Sequence, residues 1–280
     1  MQLNFSLDFL PGLTLPPFSI KKWQSKKNCF WLLSLFFLLC SPSSLWGYCN
    51  IFGYGGAEIY SLERVREGGT HQRGRVDAVY ACLERRKECG WYLGVDFLYG
   101  SGIIRGKSGL GKDLKSHLTD EIVEVRFGFD LQQFCFRCPY FIPFGGWGYF
   151  RETNHFVFPS PTPWTFNDSF QYVVTGFLSG VNFTPMLSVG VNFKTRFMLD
   201  GKSKVTDDPL FDDVKLIMRN EMQVRLEVPV TYGPLHSGMG LQLMPFYEFR
   251  HFGGRPGYPF NFKDTKLYLW GARFALMYTF

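Results

Sequence analysis

From about residue 90 onward, apolar and polar residues alternate one by one, the period-2 pattern of strands with one face toward an apolar phase and one toward a polar phase. Eight such stretches predict strands at roughly 90–104, 119–131, 134–151, 169–182, 186–199, 218–231, 238–252 and 266–280. In 218–231, Met222, Val224, Leu226, Val228 and Val230 share one face, and Arg219, Glu221, Gln223, Arg225 and Glu227 the other. In 119–131, Val123, Val125, Phe127, Phe129 and Leu131 oppose Glu124, Arg126 and Asp130; in 186–199, Val189, Val191, Phe193 and Phe197 oppose Asn192, Lys194 and Arg196. The links alternate in length. Short ones fall at Gln132–Gln133, near Thr184–Pro185 and at Tyr232–Ser237, and long ones at 105–118, 152–168, 200–217 and 253–265. Each stretch exceeds the roughly 9–11 residues a tilted strand needs to cross a hydrocarbon layer, and short turns at one end with longer loops at the other are the rule for up-and-down membrane barrels. The expected fold is therefore all-β, a transmembrane up-and-down antiparallel β-barrel of eight strands. A soluble β-sandwich carries the same alternation, so the pattern alone leaves both architectures open.

The first 89 residues lie outside this pattern. Lys21, Lys22, Lys26 and Lys27 precede an apolar run, Cys29 to Cys40, followed by the turn-forming Ser41 to Gly47. Twelve apolar residues are too few for a spanning helix, so residues 1–47 read as an N-terminal region with a signal peptide cut near Gly47–Tyr48. No second run approaches 18 apolar residues, so a membrane entered by the mature chain is entered as strands. Residues 48–89 hold basic and Gly-rich stretches and read as a periplasmic segment; the alternative is an extra hairpin, about 56–65 and 75–83, giving ten strands. Residues 90–280 form the barrel domain.

Composition fits this division. Aromatic residues make up 19% of the chain, with 31 Phe, yet mean hydropathy is −0.06. Many aromatics at balanced hydropathy suit a wall with alternate residues facing lipid and water and with aromatic girdles. The formal charge of +6 falls by three once the four Lys and one Asp of residues 1–47 are removed, too mild a balance to argue for nucleic acid.

The last strand sharpens the reading. Tyr268, Trp270, Ala272, Phe274, Leu276, Tyr278 and Phe280 share one face, and Phe280 ends the chain. A terminal Phe preceded by alternating hydrophobic residues resembles the insertion signature of bacterial outer-membrane β-barrel proteins, carried here by Trp270, Phe274, Leu276, Tyr278 and Phe280. The resemblance is to small barrels of the OmpA/OmpX kind. The ten residues Gly90 to Tyr99 also resemble the opening strand of major outer-membrane, porin-like proteins of Legionella and Chlamydia-like bacteria. These resemblances imply the cell outer membrane of a Gram-negative bacterium as location, with its lipids and the barrel-assembly machinery as partners.

Candidate chemistry is sparse. The polar faces place Asp96, Glu124, Arg126, Asp130, Arg137, Lys194, Arg196, Arg225, Glu227, Glu248, Arg250 and Arg273 in the lumen. An eight-stranded barrel is only wide enough for side chains to fill, so these residues are expected to pair across a closed interior; the alternative is a narrow diffusion channel. Loop 152–168 carries Phe156, Phe158, Trp164 and Phe166, suited to contacting a host or envelope protein or to packing over the barrel mouth. Five cysteines would survive cleavage, an odd number compatible with a bond between chains. Cys82 and Cys89 are candidate disulfide partners. Cys135 and Cys138 lie three apart on a strand, point to opposite faces and are poor partners. His155 with Ser160 or Ser169 comes nearest to the Ser–His pairs of lipid A-modifying barrel enzymes. The leading expectation is a non-enzymatic surface protein, structural or adhesive, with no cofactor and no metal.

Overall fold

The computed structural model describes residues 49–280 other than 88, 132–138, 208–213, 219–220, 235–237 and 255–262, so the signal region and the Arg137, Cys135 and Cys138 assignments lie outside the described residues. The chain forms twelve strand segments: β1 Cys49–Arg66, β2 Thr70–Lys87, β3 Trp91–Lys107, β4 Asp113–Phe129, β5 Pro139–Val157, β6 Thr165–Asn182, β7 Leu187–Thr206, β8 Val214–Ile217, β9 Met222–Glu227, β10 Val230–Tyr232, β11 Gly238–Phe252 and β12 Thr265–Thr279. Each pairs antiparallel with its neighbours, and β1 pairs with β12 from Phe52↔Thr279 to Arg66↔Thr265, closing the sheet on itself. The backbone of Phe280 completes the seam, its N–H donating to the Ile51 carbonyl at 3.0 Å.

Segments β8, β9 and β10 lie in series along β7, through the pairs Lys202↔Ile217, Arg196↔Gln223 and Val230↔Val189, and together act as one stave. Pro229, which has no N–H to give to a ladder, separates β9 from β10. The barrel thus has ten staves, not the eight expected from alternation. The additional two are β1 and β2, so residues 49–87 belong to the wall rather than to a periplasmic segment. They join through a tight turn in which Gly68 and Gly69 adopt φ of 86° and 79°, a region that favours glycine.

One end of the barrel, the proximal end, carries the start of β1, the end of β12 and the β2–β3, β4–β5, β6–β7 and β10–β11 connections. The distal end carries the other five. The expected long loops are largely strand: β3 continues to Lys107 and β4 starts at Asp113, while β5 reaches Val157 and β6 begins at Thr165. With 18 residues, β1 spans about 60 Å along its length, or about 45 Å along the barrel axis at a tilt near 40°. An apolar band of about 25 Å covers only part of that wall.

The wall changes character along its height. In the proximal half, Phe97, Phe127, Trp147, Phe197, Leu226 and Phe274 face outward and are exposed, while the charged residues face in. In the distal half, Arg73, Arg105, His117 and His155 face outward, and Val76, Ile104, Leu118, Phe156, Phe166 and Val205 are buried inside. A β-bulge marks the change on one stave: Gln171 and Tyr172 pair with Asp200 and Met198, leaving Leu199 as the extra residue and reversing the inward parity of β7 beyond it.

Candidate functional site

The lumen is layered. Its middle layer is a network of buried charges drawn from seven staves. Glu58 on β1 accepts from Arg225 Nη2 at 2.9 Å and from Arg273 Nη2 at 2.6 Å. Arg225 also reaches Glu227 and Glu248, at 2.7 and 2.8 Å. Arg250 bridges Glu248 and Asp120, at 2.7 and 2.8 Å, and Arg196 bridges Glu248 and Glu124, at 2.7 and 3.1 Å. Lys194 approaches Glu124 at 3.2 Å, and Arg126 holds Asp96 at 2.8 Å. Tyrosines cap the carboxylates: Tyr60 donates to Asp120 at 2.6 Å, Tyr80 to Asp96 at 2.8 Å and Tyr172 to Glu124 at 3.1 Å. Guanidinium groups lie over rings as well, Arg273 over Tyr80 and Arg225 over Phe246. Such geometry offsets the cost of removing these charges from water, because each ion meets several partners.

Toward the distal end the lumen is filled by an apolar layer including Leu62, Ile104, Leu118, Phe150, Phe170, Phe252, Leu267 and Leu269, each no more than 2% exposed. Phe150 and Phe170 stack at 4.6 Å between centroids. A buried Arg64–Glu152 ion pair sits within this layer. Toward the proximal end the packing opens into a cavity of about 300 Å³, lined among others by Tyr54, Arg86, Tyr140, Asn192, Gln242 and Met244. Arg86 reaches Glu84 at 2.5 Å and lies over the rings of Phe52 and Tyr140.

Of the lumen residues expected from sequence, Asp96, Glu124, Arg126, Asp130, Lys194, Arg196, Arg225, Glu227, Glu248, Arg250 and Arg273 are buried in the interior. Sequence reasoning missed Glu58, Glu84, Arg86, Asp120 and the tyrosines that bind these carboxylates. Five of the missed residues, Glu58, Tyr60, Tyr80, Glu84 and Arg86, lie on β1 and β2. There the outward positions Gly53, Gly55, Ala57 and Ala81 are too small to announce a lipid-facing side.

Two other expectations are corrected. Cys82 and Cys89 are not joined: Cys82 points into the lumen beside Asp96 and Arg126, whereas Cys89 lies on the exposed β2–β3 connection. The aromatic loop surface dissolves, because Phe156 and Phe166 are buried on β5 and β6, and Trp164 packs against the core, leaving Phe158 exposed at 90%. These aromatics close the barrel mouth. Nor is a Ser–His pair assembled. Ser160 Oγ donates to the Lys115 carbonyl and accepts from its N–H, both at 2.8 Å, while His155 Nδ1 meets Thr165 Oγ1 at 2.6 Å. Among the described residues no cluster of three metal-ligating side chains occurs. Trp270, Phe274, Leu276, Tyr278 and Phe280 all lie exposed on the outer wall.

No protein-family model and no curated protein sequence matches the chain. Solved structures do. The outer membrane protease OmpT of Escherichia coli superposes with a TM-score of 0.56 at 10% identity, over 86% of this chain and 100% of that one. The translocator domain of the autotransporter NalP of Neisseria meningitidis gives 0.46 at 10% identity, over 90% and 94%. OprG of Pseudomonas aeruginosa gives 0.39 at 9% identity, over 84% and 97%. At such identity the likeness to OmpT establishes the fold alone, that of an outer-membrane β-barrel.

Proposed function

We propose that this protein is a non-conducting surface barrel of the bacterial outer membrane. It anchors a rigid extension of its own wall on the outer side and leaves a polar vestibule at the periplasmic end. The observation that carries this reading is the distal apolar layer: Leu62, Leu118, Phe150, Phe170 and Phe252, each no more than 2% exposed, fill the bore where a diffusion path would have to continue. Below it, the charged layer is satisfied by its own ion pairs rather than arranged as a single-signed filter of the kind that selects ions. The role is structural or adhesive rather than that of a Ser–His lipid-modifying enzyme, a reading supported by His155 and Ser160 each engaging other groups. The periplasmic assignment of the proximal end follows from the short-turn rule for such barrels.

The test is planar-bilayer conductance of the refolded residues 48–280, after heat-modifiable electrophoretic mobility has established a folded barrel. Heat-modifiable protein without steady conductance is expected. Steady wild-type channels would overturn the closed reading in favour of a pore. As a positive control, replacing Phe150, Phe170 and Phe252 together by Ala should produce leak currents if the apolar layer is what seals the bore.

A further inference from the structure

The outward wall of the distal half carries a row that sheet energetics disfavours. Arg73 on β2 pairs directly with Arg105 on β3, and Arg105 with Lys115 on β4, so three cations stand side by side on one face. Like charges directly opposite one another destabilise a sheet. Arg73 is relieved by Glu63, at 3.0 Å, and the neighbouring Arg75 by Asp77, at 2.8 Å. Among the described residues, no carboxylate lies within ion-pair distance of Arg105 or Lys115. Asp113, two residues along β4 from Lys115 on the same face, stands outside ion-pair distance, so both cations are open to an anion from outside the chain.

Height identifies its source. On these three strands the apolar belt ends at Val79, Tyr99 and Val123, followed by Asp77, Ser101 and Glu121. Arg105 stands six residues beyond Tyr99, about 20 Å along the strand and about 15 Å along the barrel axis. An ordinary phospholipid headgroup layer is only about 5–8 Å deep, and its phosphates lie below the row. We propose that Arg73, Arg105 and Lys115 form a docking surface for the phosphates of a tall, multiply phosphorylated glycolipid headgroup standing beside the barrel. Arg supplies a planar fork matched to phosphate oxygens and Lys a point charge. The row stands two to three residues below the strand ends at Thr70, Lys107 and Asp113, and its side chains face sideways off the wall, which favours a neighbour rooted in the same membrane over a soluble polyanion.

This inference rests on the membrane reading above, which heat-modifiable mobility tests separately. The refolded barrel in detergent is titrated with lipopolysaccharide carrying a phosphorylated core and with the same lipopolysaccharide dephosphorylated, at two salt concentrations. Wild type should prefer the phosphorylated form by about tenfold or more, the worth of one lost charge-assisted contact. The preference should weaken with salt. The double variant Arg105→Gln/Lys115→Gln should lose it while keeping heat-modifiable mobility, and Arg75→Gln, whose charge is matched by Asp77, should retain it. Equal wild-type binding to both forms, or a double variant that keeps the preference, overturns the proposal. Heparin or inorganic pyrophosphate binding as tightly without glycolipid, and lost in the same double variant, overturns the lipid in favour of a soluble anion. A chain with no heat-modifiable form sinks the membrane reading itself.

Discussion

Proximal to Asp120 the wall turns Phe127, Trp147 and Leu226 outward and Glu124, Arg126 and Arg225 inward; distal to it, Arg105, His117 and His155 face outward while Ile104, Leu118 and Phe156 fill the interior. The backbone ladder is continuous across the change, for β4 pairs with β5 without interruption from Lys115↔Val157 to Gly128↔Phe144. On the membrane reading proposed above, what differs is the surrounding solvent. Against lipid, burying an apolar side chain inside gains nothing over leaving it outside, so the proximal half is held by polar groups that satisfy one another. Against water the ordinary hydrophobic term returns, and in the distal half apolar side chains pack inside around buried polar ones such as Arg64, Glu152 and Asp168. One barrel therefore uses two opposed rules, stacked along its axis.

The largest effect should come from breaking the proximal rule at its most connected point. Arg225 engages Glu58, Glu227 and Glu248, so Arg225→Met leaves buried carboxylates without their cation and should cost about 3–5 kcal/mol. Equilibrium unfolding of the refolded barrel in lipid vesicles measures it. Adding Glu227→Gln, which neutralises one stranded carboxylate and leaves Arg273, Arg250 and Arg196 their own partners, should recover part of the loss. A single variant as stable as wild type would mean that the proximal interior is hydrated and not held by ion pairs.

The distal rule predicts a loss of a different origin. Phe170 is buried against Phe150 and Tyr172, and Phe170→Ala should cost about 3 kcal/mol through lost burial and the cavity left behind. Unlike the charge variant, it should be insensitive to salt. A cost under about 1 kcal/mol would show that the distal layer is loosely packed and would weaken the occlusion argument as well.

These opposed rules also explain how far the sequence was legible. Alternation marks a strand only while one face is uniformly apolar, as in 119–131 and 266–280, and the lumen residues of those strands were readable from it. Beyond the lipid the apolar face switches sides, so Leu114, Ser116 and Leu118 with Lys115 and His117 look like a loop although they are strand. The extra residue Leu199 likewise ends the readable run on β7. On β1 and β2, small outward residues and apolar inward ones such as Tyr60, Leu62, Val76 and Ala78 cancel the contrast between faces, which hid two staves and with them Glu58 and Glu84. The Cys82–Cys89 spacing carried no information about which side of the wall either residue occupies.

Charge placed on the outer face should sort the two halves directly. Leu226 sits on the apolar belt between Phe193 and Tyr247, and Leu226→Arg should cost about 2–4 kcal/mol, as for a cation near the bilayer midplane. Ile103, on the distal outer wall between Arg75 and His117, should accept Arg for under about 1 kcal/mol. Unfolding midpoints in vesicles of fixed composition compare the two. Equal costs would move the lipid boundary above Ile103 and make the distal wall part of the membrane span.

The smallest effect falls on the surface pair beside it. Arg75 and Asp77 meet at 2.8 Å with both side chains 64% exposed, which in water makes the ion pair weak and screened. Arg75→Ala should therefore shift stability by no more than about 0.5 kcal/mol and less at high salt. That near-silence is informative because of position. Were the pair sheathed by lipid, losing Arg75 would strand the Asp77 carboxylate in a low-dielectric phase and cost several-fold more, so the size of this one change measures whether water or membrane surrounds the wall at the level of Asp77.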